Sequence, residues 1–365
     1  MNRREMLLST AAGLSASLLG AKASGSAPAS PERTQLGVCV YCRGLRIRAE
    51  RSRGGNLDDP LNFLEHCYKL GAGGIQIPLK IKDEAYTSKL RRRAEEHAMF
   101  VEGIAGLPRD RGDVQRFAAE VETARRAGAT VIRVVMIPGR RYERFNSLDE
   151  FREFSKRGTS SLELAEPVAA RHRMRLAVEN HKDQRISERL EVLRRIDSEY
   201  IGACVDTGNS FVLMEDPVEV VRAYAPWAFS VHLKDQAVSE YEDGFLFADV
   251  ALGKGFLDLP EIVRILRKAR PDVRFCLETI TRDPLKVPCL TDKYWATFPD
   301  VPGRDLARML RTVRANASPE PLPRVSHLGP DEQVAREDEN VAKSLAYSLD
   351  RLNLAGATRG KVTWE

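Results

Sequence analysis

The chain has 365 residues, 30% charged and 43% hydrophobic, with a formal net charge of +5. Acidic and basic residues are interspersed, with no long basic run and no basic-aromatic stripe, which argues against nucleic acid as a partner. Loss of residues 1–23 would take away Arg3, Arg4 and Lys22 against Glu5, leaving +3 on a chain whose length matches one α/β barrel with long loops.

At the amino terminus Arg3 and Arg4 precede an apolar, acid-free run from Met6 to Ala21, and Ala21-Lys22-Ala23 follows as a small-x-small cleavage site. This pattern reads as a twin-arginine-type export signal over residues 1–23, predicting a periplasmic protein. The run is too short and too rich in Ser, Gly and Ala for a membrane span, so no stable membrane insertion is expected after cleavage. A polar linker over 24–34 comes next.

From residue 35 the pattern alternates short apolar runs with longer amphipathic segments. Strands are predicted over 36–41, 74–78, 100–105, 130–137, 175–180, 201–206, 228–233 and 274–279. Helices are predicted between them over 61–70, 85–98, 113–127, 148–172, 188–196, 217–224 and 260–269. Gly71 and Gly128 close helices, while Pro217 and Pro260 open them. Eight strands in βα alternation, with no Gly-rich dinucleotide fingerprint after the first, point to a (β/α)8 TIM barrel over 35–317.

Two long connections stand apart. Residues 236–257, with Gly253-Lys254-Gly255, read as a flexible loop or lid in which Lys254 contacts substrate. Tyr294, Trp295 and Phe298 are expected to wall a sugar cleft or, alternatively, to pack their loop onto the barrel. After a Pro-rich stretch, residues 318–365 form a C-terminal extension with one amphipathic helix, whose stripe of Val341, Leu345, Leu349 and Leu352 must be buried. The six cysteines do not form a disulfide framework. Cys39 and Cys42 would face opposite sides of a strand, which disfavours a shared centre, and Cys204 and Cys276 read as small core residues.

The last four predicted strands each carry one metal-ligand residue near the carboxyl end: Glu179, Asp206, His232 and Glu278. Barrel enzymes place their sites at that end of the strands. Three carboxylates and one imidazole suit one divalent ion, Mn²⁺ first, with Mg²⁺, Co²⁺ and Zn²⁺ as alternatives. Two residues earlier on each strand stand Ala177, Cys204, Ser230 and Cys276, all small, which would form a packed floor with room above it for an ion. His181 lies two beyond Glu179 and Lys234 two beyond His232, so both face the same side as the ligands and are assigned to substrate binding, together with Asn209. Asp235 is expected to orient its loop.

The runs ENH at Glu179, DTGN at Asp206, HLKD at His232, GKGFLDLPEI at Gly253 and LET at Glu278 resemble the xylose isomerase-like TIM-barrel superfamily, also called the sugar phosphate isomerase/epimerase family. The resemblance implies a single divalent metal held by Glu179, Asp206, His232 and Glu278, with the two glutamates as an acid/base pair. Proton removal beside a carbonyl would give an enediolate that the ion stabilises. The expected function is therefore a metal-dependent isomerase or epimerase acting on a small keto sugar or related polyol. The alternatives are a lyase or dehydratase using the same enediolate, and a non-catalytic periplasmic sugar-binding barrel. Thr207-Gly208-Asn209-Ser210 lacks the histidine that many members carry after the aspartate, which counts against free-ketose epimerisation and against the endonuclease branch. Homo-oligomerisation is left open.

Overall fold

The computed structural model describes residues 34–355. The export signal and all of the expected linker except Thr34 lie outside these residues. Eight strands form a closed barrel: β1 (Gly37–Cys39), β2 (Gly74–Pro78), β3 (Phe100–Ile104), β4 (Val131–Val134), β5 (Arg175–Glu179), β6 (Ile201–Asp206), β7 (Ala228–Leu233) and, after two strands outside the barrel, the closing strand Arg274–Leu277. All barrel pairings are parallel, and the last strand closes onto β1 through Gly37↔Cys276. Parallel strands need crossovers, and helices supply them. They are α1 (Gly44–Ser52), α2 (Pro60–Lys69), α3 (Glu84–Glu96), α4 (Val114–Arg126), the single turn α5 (Arg141–Arg144), α6 (Leu148–His172), α7 (Ile186–Ile196), α8 (Pro217–Tyr224) and α9 (Leu259–Ala269). Asp216 caps α8 by accepting from Val218 N and Glu219 N, with Pro217 at its first position, and Asp258 caps α9 through Glu261 N.

Residues 236–257, expected to be a flexible loop, are for the most part a β-hairpin. Strands β8 (Asp235–Tyr241) and β9 (Gly244–Val250) pair antiparallel through Tyr241↔Gly244. With the barrel's last strand as β10, β11 (Leu285–Val287) completes a three-stranded sheet in the order β11-β9-β8. The sequence signal is the alternation of Phe245 and Phe247 with flanking residues around a Gly-containing turn, a period-two pattern.

The aromatics after β10 do not wall a cleft. Tyr294 and Phe298, on and just after the short helix α10 (Asp292–Trp295), are buried with Phe211, Phe245 and Phe247 in a satellite core beside that sheet. The Tyr294 hydroxyl donates to Val212 O at 2.6 Å, and Trp295 Nε1 donates to Cys289 O at 2.8 Å. Burying each such ring stabilises by roughly 1.5–3 kcal/mol, so packing is what fixes this loop.

After α11 (Gly303–Ala315), the chain ends in α12 (Pro330–Arg351), whose Val341 and Leu345, with Leu352 and Leu354 beyond it, belong to the principal core. The buried Glu337 accepts from Leu45 N and Arg46 N at 2.8 and 3.0 Å, capping α1 from outside. At the other end Thr34 pairs with Ala355 and bonds Ser348 and Leu354. The tail helix is thus built into the barrel wall beside β1. Among the described residues no helix is long and apolar enough to cross a membrane. The six cysteines are buried and free.

Candidate metal centre

Four consecutive barrel strands, β5, β6, β7 and β10, bring Glu179, Asp206, His232 and Glu278 to one end of the barrel. Their ligand atoms lie within 4.8 Å of one another. The first three are fully buried and Glu278 is 4% exposed. The floor is as the alternation requires: Ala177, Cys204, Ser230 and Cys276 are all sealed from solvent.

A second tier fixes the imidazole. Gln76, from β2, donates through Nε2 to Glu102 Oε2 at 3.0 Å, which leaves its Oε1 as the acceptor facing His232 Nε2 at 2.6 Å. His232 therefore donates through Nε2, which leaves Nδ1, 3.3 Å from Glu278 Oε2, 3.7 Å from Glu179 Oε2 and 3.9 Å from Asp206 Oδ2, as the nitrogen that would face an ion. Burial opposes a charge on this ring, but the neighbouring acidic groups prevail and raise the imidazole well above its ordinary value. Glu102 also accepts from Ser230 Oγ at 2.7 Å. Burial raises the Glu102 carboxyl above its ordinary value against these donors.

Buried cations press on the acids. Arg133, from β4, donates through Nε to Glu179 Oε2 at 2.5 Å and ion-pairs with the same oxygen through a terminal nitrogen. Asn209 Nδ2 donates to Glu179 Oε1 at 3.2 Å. Burial pushes Glu179 up, but the Arg133 guanidinium prevails and holds the carboxyl well below the usual carboxylate range. Lys234 Nζ stands 2.9 Å from Asp206 Oδ2 and 2.7 Å from Glu278 Oε2. For Glu278, burial is outweighed by His232 and Lys234, so this carboxyl too is held low. Lys182 sits after β5 in the left-handed region (φ 56°), with Nζ on Asn209 Oδ1. Burial and then the Lys234 charge bring it down to about 8.

Whether these residues fit a divalent ion is tested by the atoms that the protein leaves without partners. His232 Nδ1 is buried and makes no hydrogen bond, and Asp206 Oδ2 meets only Lys234 Nζ, at 2.9 Å. An imidazole lone pair and a carboxylate oxygen aimed at the same spot as two further carboxylates form a hard donor set suited to such an ion. Cys39 also reaches His232 and Glu278, but burial raises its thiol and makes it a poor ligand. Cys42 is turned elsewhere, donating to Leu277 O at 2.9 Å and accepting from Thr279 N at 3.2 Å.

The remaining expected residues are placed unequally. Lys234 and Asn209 lie inside the cluster. His181 follows β5 with Nδ1 buried and unpartnered, and burial lowers its imidazole. Lys254 is exposed. Its flanking glycines serve another purpose, because Gly253 N and Gly255 N both donate to Asp235 Oδ2 at 2.9 Å. A Cβ on Gly255 would come within 2.2 Å of Asp235 Oδ1. Asp235 orients the loop as expected. Gln76, Glu102, Arg133 and Lys182 were not anticipated. The first three carry a signal, a lone polar residue inside a short apolar strand run, but Lys182 carries none.

Comparison with known proteins agrees with the barrel. A curated 3-oxo-isoapionate decarboxylase from Pectobacterium atrosepticum is 27% identical over 223 residues, covering 59% of this chain and 76% of the relative. A xylose isomerase-like TIM-barrel protein from Mycobacterium smegmatis, solved in complex with magnesium, superposes with a TM-score of 0.52 at 15% identity, covering 76% of this chain and 98% of the other. D-psicose 3-epimerase from Clostridium cellulolyticum, solved with D-tagatose, gives 0.54 at 12% identity, covering 87% and 98%. At these identities the two structures speak for the fold alone. The family model described as xylose isomerase-like TIM barrel matches residues 64–312, most of the chain and all four of the clustered ligands. With a closed eight-stranded parallel barrel beneath that match, the chain belongs to the xylose isomerase-like TIM-barrel family.

Proposed function

We propose that the protein is a divalent-metal-dependent isomerase or epimerase that acts on a keto sugar or related polyol by removing the proton beside the carbonyl. The observation that carries this reading is the convergence of Glu179, Asp206, His232 and Glu278 within 4.8 Å, with His232 Nδ1 turned toward the three carboxylates and making no hydrogen bond. Those four residues would hold the ion, Mn²⁺ by preference, which when bound polarises a carbonyl and stabilises an enediolate.

Glu278, the one ligand with some exposure, is the base in this reading. Glu179 has one oxygen on Arg133 and the other on Asn209, so in this reading it serves as a ligand, whereas Glu278 meets Lys234 and His232 through Oε2 alone. A lone base suits isomerisation, in which a proton moves between neighbouring carbons on one face, better than epimerisation, which needs a proton donor on each face. His181 Nδ1 is available for a substrate hydroxyl.

A second reading, a lyase in which C–O or C–C cleavage runs through the same enediolate, is favoured by the engaged Glu179 and by the relative named as a decarboxylase. NMR in D₂O of the Mn²⁺-loaded protein with keto sugars, 3-keto-glycosides and keto sugar acids separates the two. Deuterium beside the carbonyl with a new isomer, abolished in Glu278→Gln, supports the first. Release of CO₂, water or an aglycone without a new isomer replaces it with the second.

A further inference from the structure

We infer that the substrate carries a carboxylate, received by the ammonium groups of Lys182 and Lys234. The inference rests on the metal and keto-sugar reading above and names the substrate class of that site.

The argument is one of charge in a sealed place. Around the cluster, Arg133 is matched by Glu179, Asp183 by Arg189 at 2.7 Å, and Asp249 by Arg282 at 3.1 Å. The buried Asp235 is taken up by the N–H groups of Gly253, Gly255 and Leu257, and Glu102 by Gln76 and Ser230. Asp206 and Glu278 are the acids within reach of Lys234 Nζ. A divalent ion at the cluster would take the charge of both.

Lys234 then shares its partners with a dication. Lys182 has only a neutral amide oxygen, Asn209 Oδ1, and Lys234 Nζ reaches that same oxygen at 3.4 Å. These lysines are 4% and 1% exposed. Two buried ammonium groups converging on one uncharged acceptor are costly unless an anion joins them. A neutral ketose offers none before reaction, whereas a sugar acid does. Lys182 is three residues beyond Glu179 and Lys234 two beyond His232, so the acid group must lie close to the reacting carbons. A carboxylate attached to the carbon chain meets that requirement better than a terminal phosphate ester.

Isothermal titration calorimetry of the Mn²⁺-loaded protein with 5-keto-D-gluconate, D-fructose and D-fructose 6-phosphate tests this, with metal content measured in parallel. The keto acid should bind at least about tenfold tighter than fructose. That preference should vanish in Lys182→Asn, a residue that tolerates the left-handed backbone, while metal content stays unchanged. Lys182→Arg, which keeps the cation, should keep the preference, and the wild-type comparison decides even if a variant misfolds. Fructose binding as tightly as the keto acid, no keto-acid binding at millimolar concentration, or a preference that survives in Lys182→Asn overturns the inference. Tighter binding of the phosphate overturns the carboxylate assignment. A wild-type protein that takes up no divalent ion sinks the metal reading instead, which keeps the two failures distinct.

Discussion

Strands β5, β6, β7 and β10 deliver the four candidate ligands, whereas β2, β3 and β4, on the opposite arc of the same barrel, deliver none of the four and hold those side chains in place. Gln76 on β2 accepts a hydrogen bond from His232 Nε2, Glu102 on β3 accepts from Gln76 and Ser230, and Arg133 on β4 grips Glu179. One arc would present charge to an ion, and the other holds the orientation and charge state of those side chains. A ligand set is therefore only half of such a centre, because each ligand is useful only in the orientation its partner imposes.

Removing a group from the first arc should have the largest effect. In Asp206→Asn the acceptor facing the ion becomes a neutral amide, and metal affinity should fall by more than the ~10–100-fold typical of changes among supporting residues. Equilibrium competition with a chelating dye measures this. Retained affinity would show that Asp206 is not a ligand and that Lys234, 2.9 Å away, is its functional partner.

The opposite arc should respond less, but measurably. Gln76→Leu removes the acceptor of His232 Nε2, so the imidazole is free to take the other tautomer and lose its Nδ1 lone pair. We expect metal affinity to drop about 10-fold, read by the same dye competition, with the melting temperature of the metal-depleted protein little changed. A loss equal to that of Asp206→Asn would erase the distinction between the two arcs.

The first arc was legible in sequence and the second was not, for a physical reason. Glu179, Asp206, His232 and Glu278 each end an apolar strand run and share small residues two positions earlier, so one pattern repeats four times. Gln76, Glu102 and Arg133 repeat no pattern. Their meaning lies in pairings across 26 to 156 residues of chain, Gln76 with Glu102 and with His232 among them. The barrel itself was readable because βα alternation is a local signal, and the bounds of β2, β6, β7, α6 and α8 match the expected ones. The hairpin of β8 and β9 replaces the expected loop because the alternating apolar residues before Gly253-Lys254-Gly255 outweigh the loop signal of the two glycines. Burial of the α12 stripe followed from its periodicity, but its polar partners, Thr34 and the amino end of α1, lie about 300 residues away and carry no local signal.

Glu102 gives the finest test of the comparison, because it asks whether the supporting arc works through charge or through shape. Its carboxyl is fully buried, accepts from Ser230 Oγ and Gln76 Nε2 on Oε2, and has no partner at Oε1. Burial raises its folded-state value above 4.5, so as pH rises past 4.5 the unfolded chain releases this proton while the folded protein keeps it. The stability it contributes is present below that point and is lost with rising pH until the folded value is passed. Glu102→Gln keeps the shape and the acceptor for Gln76 without a titrating proton. Metal affinity should stay within about threefold of wild type, under ~1 kcal/mol, and the melting temperature of the variant relative to wild type should climb between pH 4 and pH 7. A difference that is flat in pH, or a metal-affinity loss as large as that of Gln76→Leu, would mean that Glu102 acts as a charged carboxylate and that both arcs hold the ion electrostatically.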